Sequence, residues 1–170
     1  YKVYIGNHKE DPIEEKEGNT NLYSNADPLL YSNEHLWVAQ ADRIFNINTK
    51  TNKSISYTVP FKTKNNYAAN LSLKDCVINN SFWFATQGSG IIQFDFVSHK
   101  WQQFLSNYSF SSITICNDTL YAHTANKVIW FNPANYTNGI ISFNSSNTLR
   151  TIYTDYKKSI WLGDDIGNVF

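Results

Sequence analysis

The residues of this sequence that could do chemistry are few and scattered. The chain has 170 residues, with 14 Asp and Glu and four His, and Gly-x-Ser-x-Gly, His-Glu-x-x-His and phosphate-loop motifs are absent from it. The acidic pairs Glu14-Glu15 and Asp164-Asp165 fall in turns or at strand edges. A glycosidase needs two carboxylates that converge on one bond, whereas neighbours on a strand point to opposite faces. We therefore expect no catalytic residues and no enzyme.

Cysteine and carboxylate spacing also predicts no metal site and no cofactor. Cys76 and Cys116 are 40 positions apart, and the sequence shows neither a CxxC motif nor a histidine at ligand spacing. We expect two buried free thiols, because Cys is among the most buried residue types; a disulfide between neighbouring repeats is the alternative. The segment Asp164-Asp165-Ile166-Gly167 lacks the remaining ligands of a calcium loop.

One set of polar residues does recur at a fixed place, directly after four similar apolar-aromatic segments. These segments are residues 36–39, 82–85, 120–123 and 160–163. If a ligand binds, we expect it at the ends of these segments and the loops that follow: Gln40, Asp42, Thr86, Gln87, Ser89, His123, Thr124, Asn126 and Asp164. The turns that precede the segments form the rival set: Asn33, Glu34, Asn80, Asp118 and Asp155.

His123 departs from its repeat, because the equivalent positions hold the small residues Ala39, Ala85 and Gly163. A buried imidazole needs a partner or faces a cavity. Two interpretations are open: a ligand-contacting or pH-sensitive residue, and a packed, hydrogen-bonded histidine.

The elements that position these residues are short strands in four repeats. The aromatic residues Trp37, Trp83, Tyr121 and Trp161 are spaced by 46, 38 and 40 residues. An apolar run precedes each aromatic segment. A second run comes eight or nine residues after the aromatic residue. In the first three repeats, which are complete, a third run follows the second. Polar turns rich in Asn and Asp separate the runs. Four strands per repeat of about 40 residues are typical of a propeller blade.

The aromatic segments are apolar on both faces, which is typical of strands buried on both sides. A small residue two positions after the aromatic leaves room for a bulky side chain of the next blade. We therefore expect Trp37, Trp83 and Trp161 in the core between blades. The acidic stretch of residues 10–17, which Pro12 interrupts, is interpreted as an exposed turn and strand edge.

We expect one all-β unit over residues 1–170, a β-propeller segment of four-stranded antiparallel blades with repeats at about 2–42, 43–89, 90–126 and 127–168. Residues 2–7 align with residues 43–48, and Ile13 falls where a third run should begin. The segment is therefore either an arc of a larger ring, which we favour, or a closed four-bladed ring. The chain contains no Met, and we interpret it as a processed product or an excised piece.

Two segments carry a family resemblance. Residues 152–170, Ile-Tyr-Thr-Asp-Tyr-Lys-Lys-Ser-Ile-Trp-Leu-Gly-Asp-Asp-Ile-Gly-Asn-Val-Phe, and residues 81–95, Ser-Phe-Trp-Phe-Ala-Thr-Gln-Gly-Ser-Gly-Ile-Ile-Gln-Phe-Asp, resemble the two-component regulator propeller repeat. The other two copies are looser, because residues 35–48 lack the turn glycines and residues 119–132 have Tyr121 for Trp.

The resemblance implies the periplasmic or extracellular sensor region of a bacterial inner-membrane hybrid histidine kinase, many of which are linked to polysaccharide use. A kinase would lie outside this chain. The expected function is ligand sensing, with an oligosaccharide or other small ligand; a non-enzymatic scaffold for protein–protein interaction in an exported assembly is the alternative.

The net charge of zero disfavours nucleic acid or an anionic membrane as partner. The longest apolar runs are too short to span a bilayer. The remaining partners that we expect are further blades of the same protein or a second copy, because an open arc would leave a blade face uncovered.

Overall fold

The fold consists of short antiparallel strands, seen in a computed structural model that describes residues 14–16, 27–63, 69–71, 75–142 and 147–170. These residues contain strands and turns and no helix. The strands in chain order are β1 Glu14–Lys16, β2 Asp27–Ser32, β3 His35–Gln40, β4 Arg43–Asn48, β5 Ser54–Thr58, β6 Asp75–Ile78, β7 Ser81–Thr86, β8 Gly90–Asp95, β9 Lys100–Phe104, β10 Ser112–Cys116, β11 Thr119–His123, β12 Lys127–Phe131, β13 Asn138–Ser142, β14 Leu149–Thr154 and β15 Ile160–Asp164.

The strands form four sheets, and hydrogen-bonded neighbours in each sheet are consecutive in the chain, except that β1 pairs with β5. Sheet I has the order β1-β5-β4-β3-β2, sheet II is β6-β7-β8-β9, sheet III is β10-β11-β12-β13, and sheet IV contains β14 and β15. Sheets II and III are the predicted four-stranded antiparallel blades. Sheet I carries an additional outer strand, β1, whose Glu14 pairs with Ser56.

The polar turns close the hairpins in the predicted way. Both residues of the turns Asn33-Glu34 and Asn117-Asp118 have positive φ, at 49° and 66° and at 48° and 57°. Two such residues make a type I′ turn, whose twist matches that of the flanking strands. In sheet II, the side chain of Asp95 accepts hydrogen bonds from the backbone N–H groups of Val97 and Ser98. These bonds close the hairpin between β8 and β9.

Aromatic side chains fill the space between successive sheets. Trp37 of sheet I contacts Phe82 and Phe94 of sheet II, with ring centroids 5.6 and 6.0 Å apart. Trp83 of sheet II contacts Phe131 of sheet III at 5.9 Å. All six residues of β7 are buried, which confirms the prediction of a strand covered on both faces.

The prediction that Trp161 lies in the core between blades is wrong. Trp37 and Trp83 are 6% and 2% exposed, as expected of side chains between blades, but Trp161 is 46% exposed. The reason is the position of its sheet: sheets II and III each cover the preceding sheet, and among the described residues no sheet covers the outward face of sheet IV. This arrangement is consistent with an open arc.

Strand β1 bears on ring closure. It pairs with β5 of sheet I rather than with a strand of sheet IV. The aligned residues 2–7 and Ile13, on which the closed-ring alternative depends, lie outside the described residues.

Both cysteines are buried and neither forms a disulfide, as expected from the sequence. The thiol of Cys116 donates to the carbonyl of Lys158 at 3.3 Å, so it joins sheet III to the turn after β14.

The contrast between Trp83 and Trp161 predicts unequal losses of stability. Replacing Trp83 by Ala removes a fully packed side chain and should lower the free energy of unfolding by about 3–5 kcal/mol. The matched replacement Trp161→Ala, at the equivalent repeat position, should cost less than about 1.5 kcal/mol because that ring is already half in solvent. Urea unfolding of the two variants measures both; equal losses would contradict the packing described above.

Candidate functional site

The predicted ligand-contacting loops lie at one end of the strands, together with the crossovers between sheets. An equivalent backbone hydrogen bond docks each crossover on the turn of the preceding sheet. The N–H of Leu71 donates to the carbonyl of Ala41, that of Phe110 to Thr86, and that of Leu149 to Ala125, at 2.7, 3.0 and 2.7 Å. We call this end, with residues 40–43, 86–90, 124–127 and 164–168, the crossover face.

The rival set lies at the opposite ends of the strands. There the N–H of Thr49 donates to the carbonyl of Glu34 at 2.7 Å, and that of Phe96 donates to Asn80 at 2.9 Å. These bonds join neighbouring turns within one sheet, and Asn80 remains exposed. The structure therefore separates the two candidate sets onto opposite faces.

Five residues of the first set are buried: Gln40, Thr86, Ser89, His123 and Asp164. The hydroxyl of Thr86, for example, donates to the carbonyl of Gly90 at 2.8 Å and holds its own turn closed. Burial therefore removes these five side chains from the solvent-facing surface of the strand ends.

Asp164 organises the turn after β15 with both carboxylate oxygens. Oδ1 accepts the backbone N–H groups of Ile166 and Asn168, and Oδ2 accepts the side-chain amides of Asn147 and Asn168, all between 2.8 and 3.1 Å. Burial raises the pKa of Asp164, but the hydrogen bonds from Asn168, Asn147 and Ile166 outweigh it and hold the pKa below its usual value. An ionised carboxylate with these bonds is suited to structure rather than to acid–base chemistry.

His123 is fully buried at the end of β11. Its Nδ1 lies 3.0 Å from the carbonyl oxygen of Thr124. Since a carbonyl oxygen can only accept a hydrogen bond, Nδ1 is the donor. In the sheet register it lies opposite Ser112 and Val128. This geometry fits the packed, hydrogen-bonded interpretation of His123.

Four residues of the first set reach solvent on the crossover face. Gln87 and Asn126 are exposed, and Asp42 and Thr124 are half-buried. Asp42 forms a long ion pair with Arg43, with Oδ1 3.7 Å from Nε. Sheets I, II and III thus each present amide, hydroxyl or carboxylate groups at the same end.

A second surface is the outward face of sheet IV; the sequence predicted an uncovered blade face for an open arc but not the residues that form it. Tyr153 and Trp161 lie directly opposite each other in β14 and β15, and both are exposed. The Trp161 Nε1–H donates to Asp155 at 2.9 Å, and this bond is the largest cause of the lowered pKa of Asp155. The one signal in the sequence is that residues 160–163 are the last of the four similar segments.

The described residues contain neither a metal-binding cluster nor a membrane-spanning helix. Nowhere in them are three or more His, Cys, Asp or Glu residues grouped so that they could hold a metal ion. No helix among them is long and apolar enough to cross a membrane.

Comparison with known proteins shows the fold. No protein-family model matches the chain, and no curated protein matches it. The extracellular domain of the putative one-component system BT4673 from B. thetaiotaomicron is similar, with 16% identity and a TM-score of 0.63 over 84% of this chain and 23% of that one. The WD40 beta propeller domain of Doa1 is also similar, with 16% identity and a TM-score of 0.61 over 85% and 48% of the two chains.

A streptogramin B lyase matches over 93% of this chain and 58% of its own length, with 13% identity and a TM-score of 0.65. The chain therefore spans between about a quarter and three-fifths of these three structures. At such identities the likeness shows the fold alone, and with the sheets described above it shows that this chain has the β-propeller fold.

The hydrogen bonds of Asp164 predict a pH-dependent contribution to stability. Because its pKa is lowered in the folded chain from the ordinary 3.8, its contribution is present above that pH and is lost as pH falls through the folded value. Asp164→Asn places an amide against two amide donors, so it should destabilise the chain at about pH 6 and much less at about pH 2.5.

Urea unfolding at both pH values measures this difference. Asp165→Asn is the matched control, since Asp165 accepts one hydrogen bond, from the N–H of Thr148. A loss for Asp164→Asn that is the same at both pH values would show that its charge is not what holds the turn.

Proposed function

We propose that this chain is a segment of an extracytoplasmic sensor propeller that binds an oligosaccharide at the crossover face. The observation that carries the proposal is the repeated placement of solvent-accessible polar groups, Asp42, Gln87, Thr124 and Asn126, at the same end of three successive sheets. Amide and hydroxyl groups both donate and accept hydrogen bonds, as a neutral polyhydroxylated ligand requires.

Rigidity of the face supports the proposal. Each turn is tied to the next crossover by a backbone hydrogen bond, and Thr86 and Asp164 hold their own turns from within. Groups that are held in place before binding lose less conformational entropy when a ligand arrives. The net charge of zero fits a neutral ligand better than an anionic one.

The sensor role draws on two further supports. The segments 81–95 and 152–170 resemble the two-component regulator propeller repeat, and the BT4673 structure with the same fold is an extracellular domain. We propose a non-enzymatic role, because the carboxylate of Asp164 is taken up by turn hydrogen bonds and that of Asp155 by a tryptophan and its own turn. The streptogramin B lyase shares the fold, and function is carried by sites rather than by folds.

Two asparagines provide a matched test of the binding face. Asn126 is exposed on the crossover face, and Asn80 is exposed at the opposite ends of the strands. Asn126→Ala should weaken binding of the best polysaccharide fragment about tenfold, or ~1.4 kcal/mol, and Asn80→Ala should leave it unchanged.

Calorimetry against a panel of neutral polysaccharide fragments measures both affinities. A loss with Asn80→Ala alone would move the site to the opposite face. Absence of binding to every fragment would overturn the oligosaccharide assignment, while the fold would stand.

A scaffold in an exported assembly is the second candidate function. The exposed aromatic pair Tyr153 and Trp161 favours it, since exposed aromatic patches mark protein interaction surfaces. On this alternative, the face of sheet IV would contact a different protein.

A further inference from the structure

We propose that the outer edge of sheet III, strand β13, is an interface at which two copies of this chain pair edge to edge. The two β13 strands run antiparallel about a two-fold axis, so that two four-stranded sheets join into one continuous sheet. This inference rests neither on ligand binding nor on the uncovered face of sheet IV. It rests on the composition, the exposure and the hydrogen-bond register of β13.

The outer edges of sheets I, II and III differ in their protection. Strand β1 covers the edge of sheet I, and the outer strand of sheet II begins with Lys100. Added strands and lysine side chains are common means by which proteins prevent edge-to-edge pairing. Among the described residues no strand lies beyond β13, and its sequence Asn-Gly-Ile-Ile-Ser carries no charge. The whole stretch between Lys127 and Arg150 contains no charged residue.

The backbone groups of alternate β13 residues point away from sheet III. The N–H of Asn132 donates to the carbonyl of Thr137 at 2.8 Å, in the register that continues along β12 and β13. Because hydrogen-bonded and non-hydrogen-bonded pairs alternate in an antiparallel ladder, Gly139 and Ile141 bond to β12. The other three residues of β13 direct their N–H and C=O groups outward: Asn138, Ile140 and Ser142.

One register pairs all of these outward groups with their own copies. It places Ile140 opposite the second copy's Ile140, and Asn138 opposite the second copy's Ser142. Each of these pairs then exchanges two backbone hydrogen bonds. No charge faces its own copy across the axis, since β13 has none. A strand that satisfies its own edge in this way fits a second copy of this chain.

The side chains of the same register are complementary on the face toward sheet IV. Gly139 lies opposite the second copy's Ile141. The indole of half-buried Trp130 lies over Gly139 and leaves no room there for a Cβ atom. The second copy's Ile141 therefore packs beside Trp130, in the place where a larger residue at 139 would crowd both side chains.

The face toward sheet II continues an existing apolar row. Ile140 is the cross-strand partner of Ile129, which is fully buried with the core between sheets II and III. Ile140 and Ile141 are themselves 50% and 44% exposed. Pairing of two β13 strands brings Ile140 against its own copy and removes apolar area from water on both faces.

The size of the interface predicts a weak dimer. Two strands of five residues bury less than the roughly 1,200 Å² of a standard interface, which is typical of transient association. The axis reverses the strand direction, so the crossover faces of the two copies point in opposite directions. Dimerisation therefore leaves both crossover faces open.

A charge at the axis tests the interface. Ile140→Lys places two lysines directly opposite each other, and like charges at such a position destabilise strand pairing. Val97→Lys is the matched control, because Val97 is 66% exposed on the hairpin between β8 and β9. Sedimentation equilibrium of the 170-residue chain, up to roughly 0.5 mM, measures the masses, and circular dichroism checks the fold.

We expect the unsubstituted chain and Val97→Lys to dimerise with similar dissociation constants, and Ile140→Lys to weaken dimerisation at least about tenfold. A chain that stays monomeric at every concentration would overturn the proposal. A dimer that persists in Ile140→Lys would also overturn it, because the contact would then lie on another surface, such as the outward face of sheet IV.

A cysteine at the axis tests the register independently of charge. Ile140→Cys brings two thiols together with Cα atoms about 5.5 Å apart, which suits a disulfide. Ile141→Cys is the control, since residue 141 faces Gly139 and lies more than about 7 Å from its own copy. The native Cys76 and Cys116 are buried, and the unsubstituted chain provides the background of the oxidation.

On mild oxidation we expect Ile140→Cys to form a covalent dimer and Ile141→Cys to remain monomeric on a non-reducing gel. Equal crosslinking of the two variants would contradict the register. Crosslinking of neither variant would contradict pairing of the β13 edges.

Discussion

The structure depends on one repeated contact, in which an aromatic side chain of one sheet packs against the apolar face of the next. Trp37 against Phe82 and Trp83 against Phe131 are its clearest instances. A two-layer contact of this kind removes both tryptophans from water, and burial of apolar area is the dominant favourable term in folding. Because each sheet must bury both of its faces, every sheet requires a neighbour, and the fold grows by addition of sheets.

That contact also determines where the polar groups lie. Packing aligns the equivalent strand ends of successive sheets. The turns after β3, β7 and β11 therefore contact the crossovers at the same face. The backbone bonds from Leu71, Phe110 and Leu149 then fasten each crossover to a turn. Asp42, Gln87 and Asn126 gain a common surface from this arrangement, although they are far apart in the sequence.

Much of the fold could be predicted because its determinants are local. The apolar-aromatic-apolar pattern of residues 82–84 requires burial on both faces, and Asn117-Asp118 requires a tight turn. The exposure of Trp161 could not be predicted from its local pattern, which is similar to that of Trp83, because the difference lies in whether a neighbouring sheet covers the side chain. Thr86 and Asp164 could not be assigned either, since a polar residue in a turn binds solvent or its own backbone according to contacts that its type does not reveal. The acidic stretch of residues 10–17 predicted a strand edge, and Glu14–Lys16 is the outer strand of sheet I, but three residues have no periodicity that could show which sheet they join.

The most direct measurement of the central claim is solvent contact at the equivalent tryptophans of the 170-residue chain. Labelling the five Trp residues with 5-fluorotryptophan, and assigning each ¹⁹F resonance by single Trp→Phe replacements, would report them separately. The account predicts a solvent isotope shift between H₂O and D₂O for Trp161 and none for Trp37 or Trp83. A Trp161 resonance as insensitive to solvent as the other two would contradict it, because the outward face of sheet IV would then already be covered.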